Sequence, residues 1–375
     1  MRTLLSRRQP LVRAAHLVGL IACAALGTAS VFAQEGPNAS STVKIRQDGS
    51  VEVPAHVVPV SELLSPEGKA YMAEHLRNMQ RPELLVQDGG VPPLLAGYLA
   101  RQREVFPVER RDITVGGVHA YEYIPKEGIA PRNRDRVLIN LHGGGFMGCW
   151  PACAELESIP VAALARIRVV SLDYRQSPKH KFPAASEDVA AAYRELLKQY
   201  QAHNIGIYGC SAGGMLTGMA VAWFQQHSLP APGAVGVLCA GMTLAPNGFG
   251  GDAAYTTAAI GEARTPPAAQ GENAMKRNPL PYLADVSLND PLAAPATSPE
   301  VLARFPPTLI VSGTRAFDLS SAVYTHSQLV KQGVDADLHV WEGLFHGFFY
   351  NIDVPESREC YDVIVKFFDR KLGRK

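Results

Sequence analysis

Residues 205–216 constrain this chain more tightly than any other stretch. An apolar run through Ile205, Ile207 and Tyr208 leads into Gly209-Cys210-Ser211-Ala212-Gly213, and a helix-like run with Met215, Leu216, Met219 and Ala220 follows. A serine between two glycines, at the corner where a strand becomes a helix, is the pattern of a nucleophile elbow. The corner is sharp, so side chains at 209 and 213 would collide with the neighbouring strand and helix. Ser211 is then held out of the sheet with its hydroxyl exposed. It stands at the N-terminus of the following helix, where free N–H groups favour developing negative charge. Cys210 reads as a small buried apolar residue. Its position points away from the apex, which argues against a thiol nucleophile.

A nucleophile of this kind needs an oxyanion site, a base and an acid, and the chain offers a candidate for each. Arg136 to Leu141 looks like a buried strand, and His142-Gly143-Gly144-Gly145-Phe146 follows at once. Bare backbone lets the N–H groups of Gly143 and Gly144 approach a substrate oxygen, joined by the N–H of Ala212. The glycines explain that loop without His142, which reads as a structural hydrogen-bonding residue. Of the eleven histidines, His346 alone sits in a short Gly-flanked loop between a strand-like run (Ala336 to Trp341) and a C-terminal helix. That setting makes it the candidate general base. Thr308 to Gly313 reads as another buried strand, and Asp318 is the only carboxylate in the loop after it. Asp318 is the candidate to orient His346; the competing reading is a cap for the helix near Ser320 to Lys331.

With these residues in view the chain resembles the hormone-sensitive-lipase-like family of α/β-hydrolases, which includes many bacterial carboxylesterases. Four ordered blocks carry the resemblance: His142 to Phe146; Asp173 to Ala185 with Glu187-Asp188; Gly209 to Gly214; and His346-Gly347-Phe348. It spans roughly residues 110 to 375. It implies an α/β-hydrolase fold, with Ser211, Asp318 and His346 at the triad positions and Gly143, Gly144 and Ala212 at the oxyanion positions. Two departures stand out. The family's elbow often carries Asp where this chain has Cys210, which predicts altered local hydrogen bonding rather than lost activity. Some relatives place Asp directly after a Gly-Thr-Arg run, where this chain has Ala316; Asp318 lies two residues on, so either the loop bends to bring it into the same space or another group orients His346. Asp173 and Arg175 read as structural residues bracing the glycine loop.

The N-terminus predicts export. Residues 1–33 hold Arg2, Arg7, Arg8 and Arg13, no acid, a mostly apolar run from Ala14 to Leu26, and Val31-Phe32-Ala33. This is the layout of a secretory signal peptide, with cleavage after Ala33. Leu20-Ile21-Ala22-Cys23 also resembles a lipobox, the alternative being a lipid-anchored Cys23. The apolar run is too short and too rich in Ala and Gly for a membrane span. Loss of the four arginines leaves 32 basic against 35 acidic residues, a net charge of about −3, which offers no electrostatic footing for nucleic acid. Cys149, Cys153, Cys210, Cys239 and Cys360 remain; Cys149 and Cys153 are placed to bridge, and they lack the further spaced ligands that zinc requires. No cofactor or metal is called for.

Organisation follows from the motif order. Residues 34–54 are polar and predict no fixed structure. Residues 55–109 form an N-terminal cap segment, with a helix over Pro66 to Met79. A catalytic domain spans 110–375. In it, Val108 to Tyr123 predicts two strands turning at Gly116-Gly117, and alternating helices and strands then predict a mostly parallel twisted sheet with helices on both faces. The first helix is placed over Leu156 to Arg166, with Pro160 kinking it or delaying its start. Residues 241–304 break the rhythm and supply a second cap element. The function implied is hydrolysis of a small carboxylic ester, short-chain or aryl, through an acyl-enzyme. The alternatives are a non-catalytic ligand-binding protein on the same fold, or an amidase or lactonase.

Overall fold

The computed structural model describes residues 42–86, 90–245, 249–264 and 280–373. The expected leader, Ala33 and Cys23 lie outside the described residues, as does the Pro266-Pro267 stretch of the second cap element. The chain divides into two units, Met1–Val57 and Val58–Lys375. In the first, β1 (Lys44–Ile45) pairs antiparallel with β2 (Val51–Glu52). The polar composition predicts no such pairing. Asp48-Gly49 produces it, because Gly49 turns the chain at φ 84° and Asp48 accepts the Ser50 N–H at 2.9 Å.

The second unit opens with α1 (Pro66–Asn78) and α2 (Pro93–Val105). The hairpin β3 (Val108–Val115) and β4 (Val118–Pro125) then turns at Gly116-Gly117, as predicted. Strands and helices alternate from there: β5 (Val137–Leu141), α3 (Ala152–Ala165), β6 (Arg168–Leu172), α4 (Ala184–Leu196), β7 (Ile205–Cys210), α5 (Ala212–Gln226) and β8 (Ala234–Leu238). Then come α6 (Ala253–Glu262) and the short α7 (Pro299–Leu302), followed by β9 (Thr308–Gly313), α8 (Leu319–Lys331), β10 (Ala336–Trp341) and α9 (Pro355–Lys371). Among the described residues no helix is long and apolar enough to cross a membrane.

Eight strands form one sheet in the order β10-β9-β8-β7-β5-β6-β4-β3. Strands β5 to β10 run parallel, while β4 joins β6 antiparallel and carries β3 at the edge. The two-residue period of β5 divides the core. Val137, Ile139 and Leu141 pack among residues of α4 and α5, and Leu138 packs on the other face among residues of α3 and α9. Asn140 shares the Leu138 face and is fully buried, so it needs a polar partner there.

Helix α3 begins at Ala152 and runs through Pro160, earlier than the proline suggests. Pro160 has no N–H for the Leu156 carbonyl one turn before it. The Tyr361 hydroxyl, from α9, donates to that carbonyl at 3.0 Å instead. An external donor thus removes the cost that a proline imposes on a helix interior. Tyr361→Phe should destabilise the domain by about 1–3 kcal/mol, the cost of a buried carbonyl left unpaired. Adding Pro160→Ala should restore most of the loss by supplying the missing N–H. Urea unfolding of the two variants checks this; a Tyr361→Phe protein as stable as the parent rules it out.

Candidate active site

Parallel topology gathers the candidate residues at one edge of the sheet. Ser211 follows β7, Asp318 follows β9 and His346 follows β10, so all three stand beyond the carboxyl ends of parallel strands, with β8 between the first and the other two. The elbow is as tight as its sequence requires. A Cβ on Gly209 would lie 2.0 Å from the Leu141 carbonyl oxygen, and one on Gly213 would lie 1.6 Å from the same atom. Ser211 itself sits at φ 58° and ψ −120°, a strained setting for a residue with a side chain. Its N–H donates to the Leu238 carbonyl at 2.8 Å, and its carbonyl accepts the Met215 N–H at 3.0 Å. The strain is therefore held from both sides.

Asp318 and His346 are in direct contact. His346 Nδ1 lies 2.7 Å from Asp318 Oδ1, and the Ser312 hydroxyl donates to Oδ2 at 2.7 Å. The competing role for Asp318 fails: it precedes α8, yet its side chain makes no capping hydrogen bond. A buried carboxylate accepting from Nδ1–H leaves Nε2 as the free acceptor, the tautomer a general base needs. The imidazole stacks on Phe317, ring centres 4.3 Å apart, and the next residue, Gly347, donates its N–H to Cys239 Sγ at 3.2 Å. Among the described residues no hydrogen bond joins the Ser211 hydroxyl to His346.

The glycine loop departs from expectation in one respect. The Gly143 N–H is not turned toward the site; it donates to Glu157 Oε1 at 2.8 Å. The N–H groups of Gly144, Gly145 and Ala212 have no hydrogen-bond partner among the described residues. Gly144 (φ 119°) and Gly145 (φ 64°) are half-buried, and both adopt backbone angles that favour glycine. A Cβ on Gly144 would also lie 2.2 Å from the Gly148 carbonyl. Gly145 thus replaces Gly143 as a candidate donor. Nothing in a run of three glycines marks which N–H faces inward.

His142 is buried and stacked on Tyr174, ring centres 4.5 Å apart, with Nδ1 2.6 Å from the Gly143 carbonyl. It is structural, as its sequence setting predicts. The loop is braced by Tyr174, whose hydroxyl donates to the His142 carbonyl at 2.6 Å, and by the Ser177 N–H, 2.8 Å from the Phe146 carbonyl. Asp173 and Arg175, expected in that role, instead pair with His119 and Asp188. Cys149 and Cys153 are joined in a disulfide, and Cys210, Cys239 and Cys360 are free and buried. Burial pushes the Cys210 thiol up, against any nucleophilic role.

A cavity of about 350 Å³ opens beside the glycine loop. Gly144, Met147 and Cys149 line one side; Leu85, Leu94 and Leu95, from the 55–109 segment, line the other. The same segment reaches the base. His75 of α1 stacks on Phe345, ring centres 3.4 Å apart, and its Nε2 lies 2.9 Å from the Gly261 carbonyl of α6.

Burial lowers the His142 pKa to about 4. Between that value and its ordinary value of 6.5, the unfolded chain binds a proton that the folded chain does not. Its contribution is therefore complete above pH 6.5 and is lost as the pH falls toward 4, up to about 3 kcal/mol. The stability difference between the parent protein and His142→Phe should shrink by about that amount over this range. Urea titrations at several pH values measure it, and a difference that stays constant with pH contradicts it.

A family model described as alpha/beta hydrolase fold matches residues 138–350. An acetyl-hydrolase of Streptomyces hygroscopicus is 29% identical over 290 residues, 76% of this chain and 92% of that protein. The crystal structure of an esterase E25 is similar at TM-score 0.71 and 28% identity, covering 86% of this chain and 99% of that one. That of an esterase from the bacterial hormone-sensitive lipase family is similar at TM-score 0.67 and 27% identity, covering 82% and 99%.

Proposed function

The chain belongs to the α/β-hydrolase fold family, among the hormone-sensitive-lipase-like esterases, and as a carboxylic ester hydrolase we propose that it works through Ser211, His346 and Asp318 on short-chain or aryl esters. The observation that carries this reading is the 2.7 Å contact of His346 with buried Asp318, at the sheet edge where the elbow presents Ser211. His346 Nε2 takes the proton of the Ser211 hydroxyl as that oxygen attacks the ester carbonyl. The N–H groups of Gly144, Gly145 and Ala212 receive the oxyanion. His346 returns the proton to the leaving alcohol, and water repeats the sequence on the acyl-enzyme. Asp318 accepts from the Nδ1–H throughout and holds the imidazolium in place. The Ser211–His346 hydrogen bond forms in the substrate complex, where such contacts commonly tighten.

The cavity beside Gly144 supports small substrates. At about 350 Å³ it is near the lower end of small-molecule sites, and its walls are mostly apolar. Export is part of the same reading, supported by the leader-like residues 1–33 and by the Cys149–Cys153 disulfide, which belongs in an oxidising compartment. Enzymic relatives leave the non-catalytic alternative without support.

A fluorophosphonate should mark Ser211 in the parent protein and not in Ser211→Ala, read by mapping the modified peptide. Asp318→Asn should lower kcat by about 10⁴-fold, because an amide in that place favours the wrong imidazole tautomer. Full activity in Asp318→Asn would remove the acid from the proposal. Rates on nitrophenyl esters should peak at short acyl chains; a maximum at long chains rejects the substrate class and leaves the triad standing.

A further inference from the structure

Glu157 is a buried carboxylate that the triad and the oxyanion donors leave unexplained. It stands on α3 with 1% of its surface exposed. Oε1 accepts the Gly143 N–H at 2.8 Å and the Tyr350 hydroxyl at 3.0 Å. Oε2 accepts the Asn140 amide at 2.9 Å and the Cys210 N–H at 3.2 Å. The four donors come from strand β5, the glycine loop, the elbow and the turn after His346.

Three of those donors have no alternative. Gly143 and Cys210 present backbone N–H groups, and the Asn140 amide oxygen is already taken by the Ser171 hydroxyl at 2.6 Å. Only an ionised carboxylate accepts from all four donors at once. Burial raises the Glu157 pKa and the same four donors oppose the rise, leaving it at about 7. The Glu157 backbone is anchored as well: its carbonyl accepts the Tyr208 hydroxyl at 3.0 Å.

The consequence concerns the oxyanion site. Turning the Gly143 N–H toward α3 fixes the His142–Gly143 peptide, one residue before the peptide that carries the Gly144 N–H. Holding the Cys210 N–H fixes the Gly209–Cys210 peptide, one residue before Ser211. A Cβ on Gly143 would already lie 3.5 Å from Ser211 Cβ, so the two segments are adjacent. We propose that Glu157 is a positioning residue of the ester-hydrolysis site: one carboxylate grips both the glycine loop and the nucleophile turn and so sets the distance across the oxyanion hole. This rests on the ester-hydrolase reading above.

The test uses the full-length protein, with kcat counted per fluorophosphonate-reactive serine. Glu157→Gln puts an NH₂ group against at least one obligate donor. It should lower kcat on nitrophenyl acetate by about 10- to 100-fold with KM within about twofold, because the lost interaction is made only in the transition state. A trifluoromethyl ketone, which forms an oxyanion on Ser211, should bind more weakly by a similar factor. The matching methyl ketone should bind as before. Glu157→Asp, which keeps the charge and shortens the reach, should fall between. If Glu157→Gln does not fold, Glu157→Asp carries the comparison of the two ketones alone. Parent-like kcat and trifluoromethyl ketone binding in a folded variant would overturn the proposal, as would an equal loss for both ketones. A parent protein that hydrolyses no ester overturns the ester-hydrolase reading and takes this role with it; an active parent with an unaffected Glu157→Gln overturns this role only.

Discussion

The carbonyl oxygen of Leu141, at the end of β5, is approached by two turns of chain closer than any side chain allows. Gly209 and Gly213 both bring backbone against it, with Cβ positions that would fall at 2.0 and 1.6 Å. The strand that leads into the glycine loop is thereby pressed against the turn that carries Ser211. The glycine loop, whose Gly144 and Gly145 N–H groups have no partner among the described residues, thereby lies beside the elbow at the start of α5. Every other arrangement at the site serves that approach. The sheet order brings β7, β8, β9 and β10 side by side, and the loops they release supply the carboxylate and the imidazole in turn.

Features whose cause is local were legible in the sequence. The strand–Gly–x–Ser–x–Gly–helix corner is dictated by sterics within a few residues, and α5 spans Ala212–Gln226, as its apolar spacing indicates. The hairpin at Gly116-Gly117 and the alternation that gives a parallel sheet have the same origin. Asp318 was readable because only one carboxylate stands in that loop, and the contact with His346 across 28 positions of sequence agrees with it.

What was not legible depends on partners distant in the chain. Pro160 argues for a late helix start until Tyr361, 205 positions on from Leu156, is known to fill the gap it leaves. The orientation of the Gly143 N–H follows from Glu157, which lay outside every motif, in a helix whose sequence marks no polar role. Asn140 and Glu157 are individually unremarkable; their pairing needs the face of β5 and the face of α3 to be opposed. The Cys210 N–H is likewise held by a side chain from another element, which no motif around the elbow announces.

The stack of His75 on Phe345 gives the 55–109 segment a mechanical tie to the loop that carries the imidazole. His75 also reaches the carbonyl of Gly261, so a single ring is shared by α1, α6 and that loop. The 55–109 segment is therefore not a detachable module. A chimera that exchanges α1 for a foreign lid would remove the surface on which Phe345 rests, and it inherits the proton-transfer group intact only if the graft brings its own flat partner for that ring.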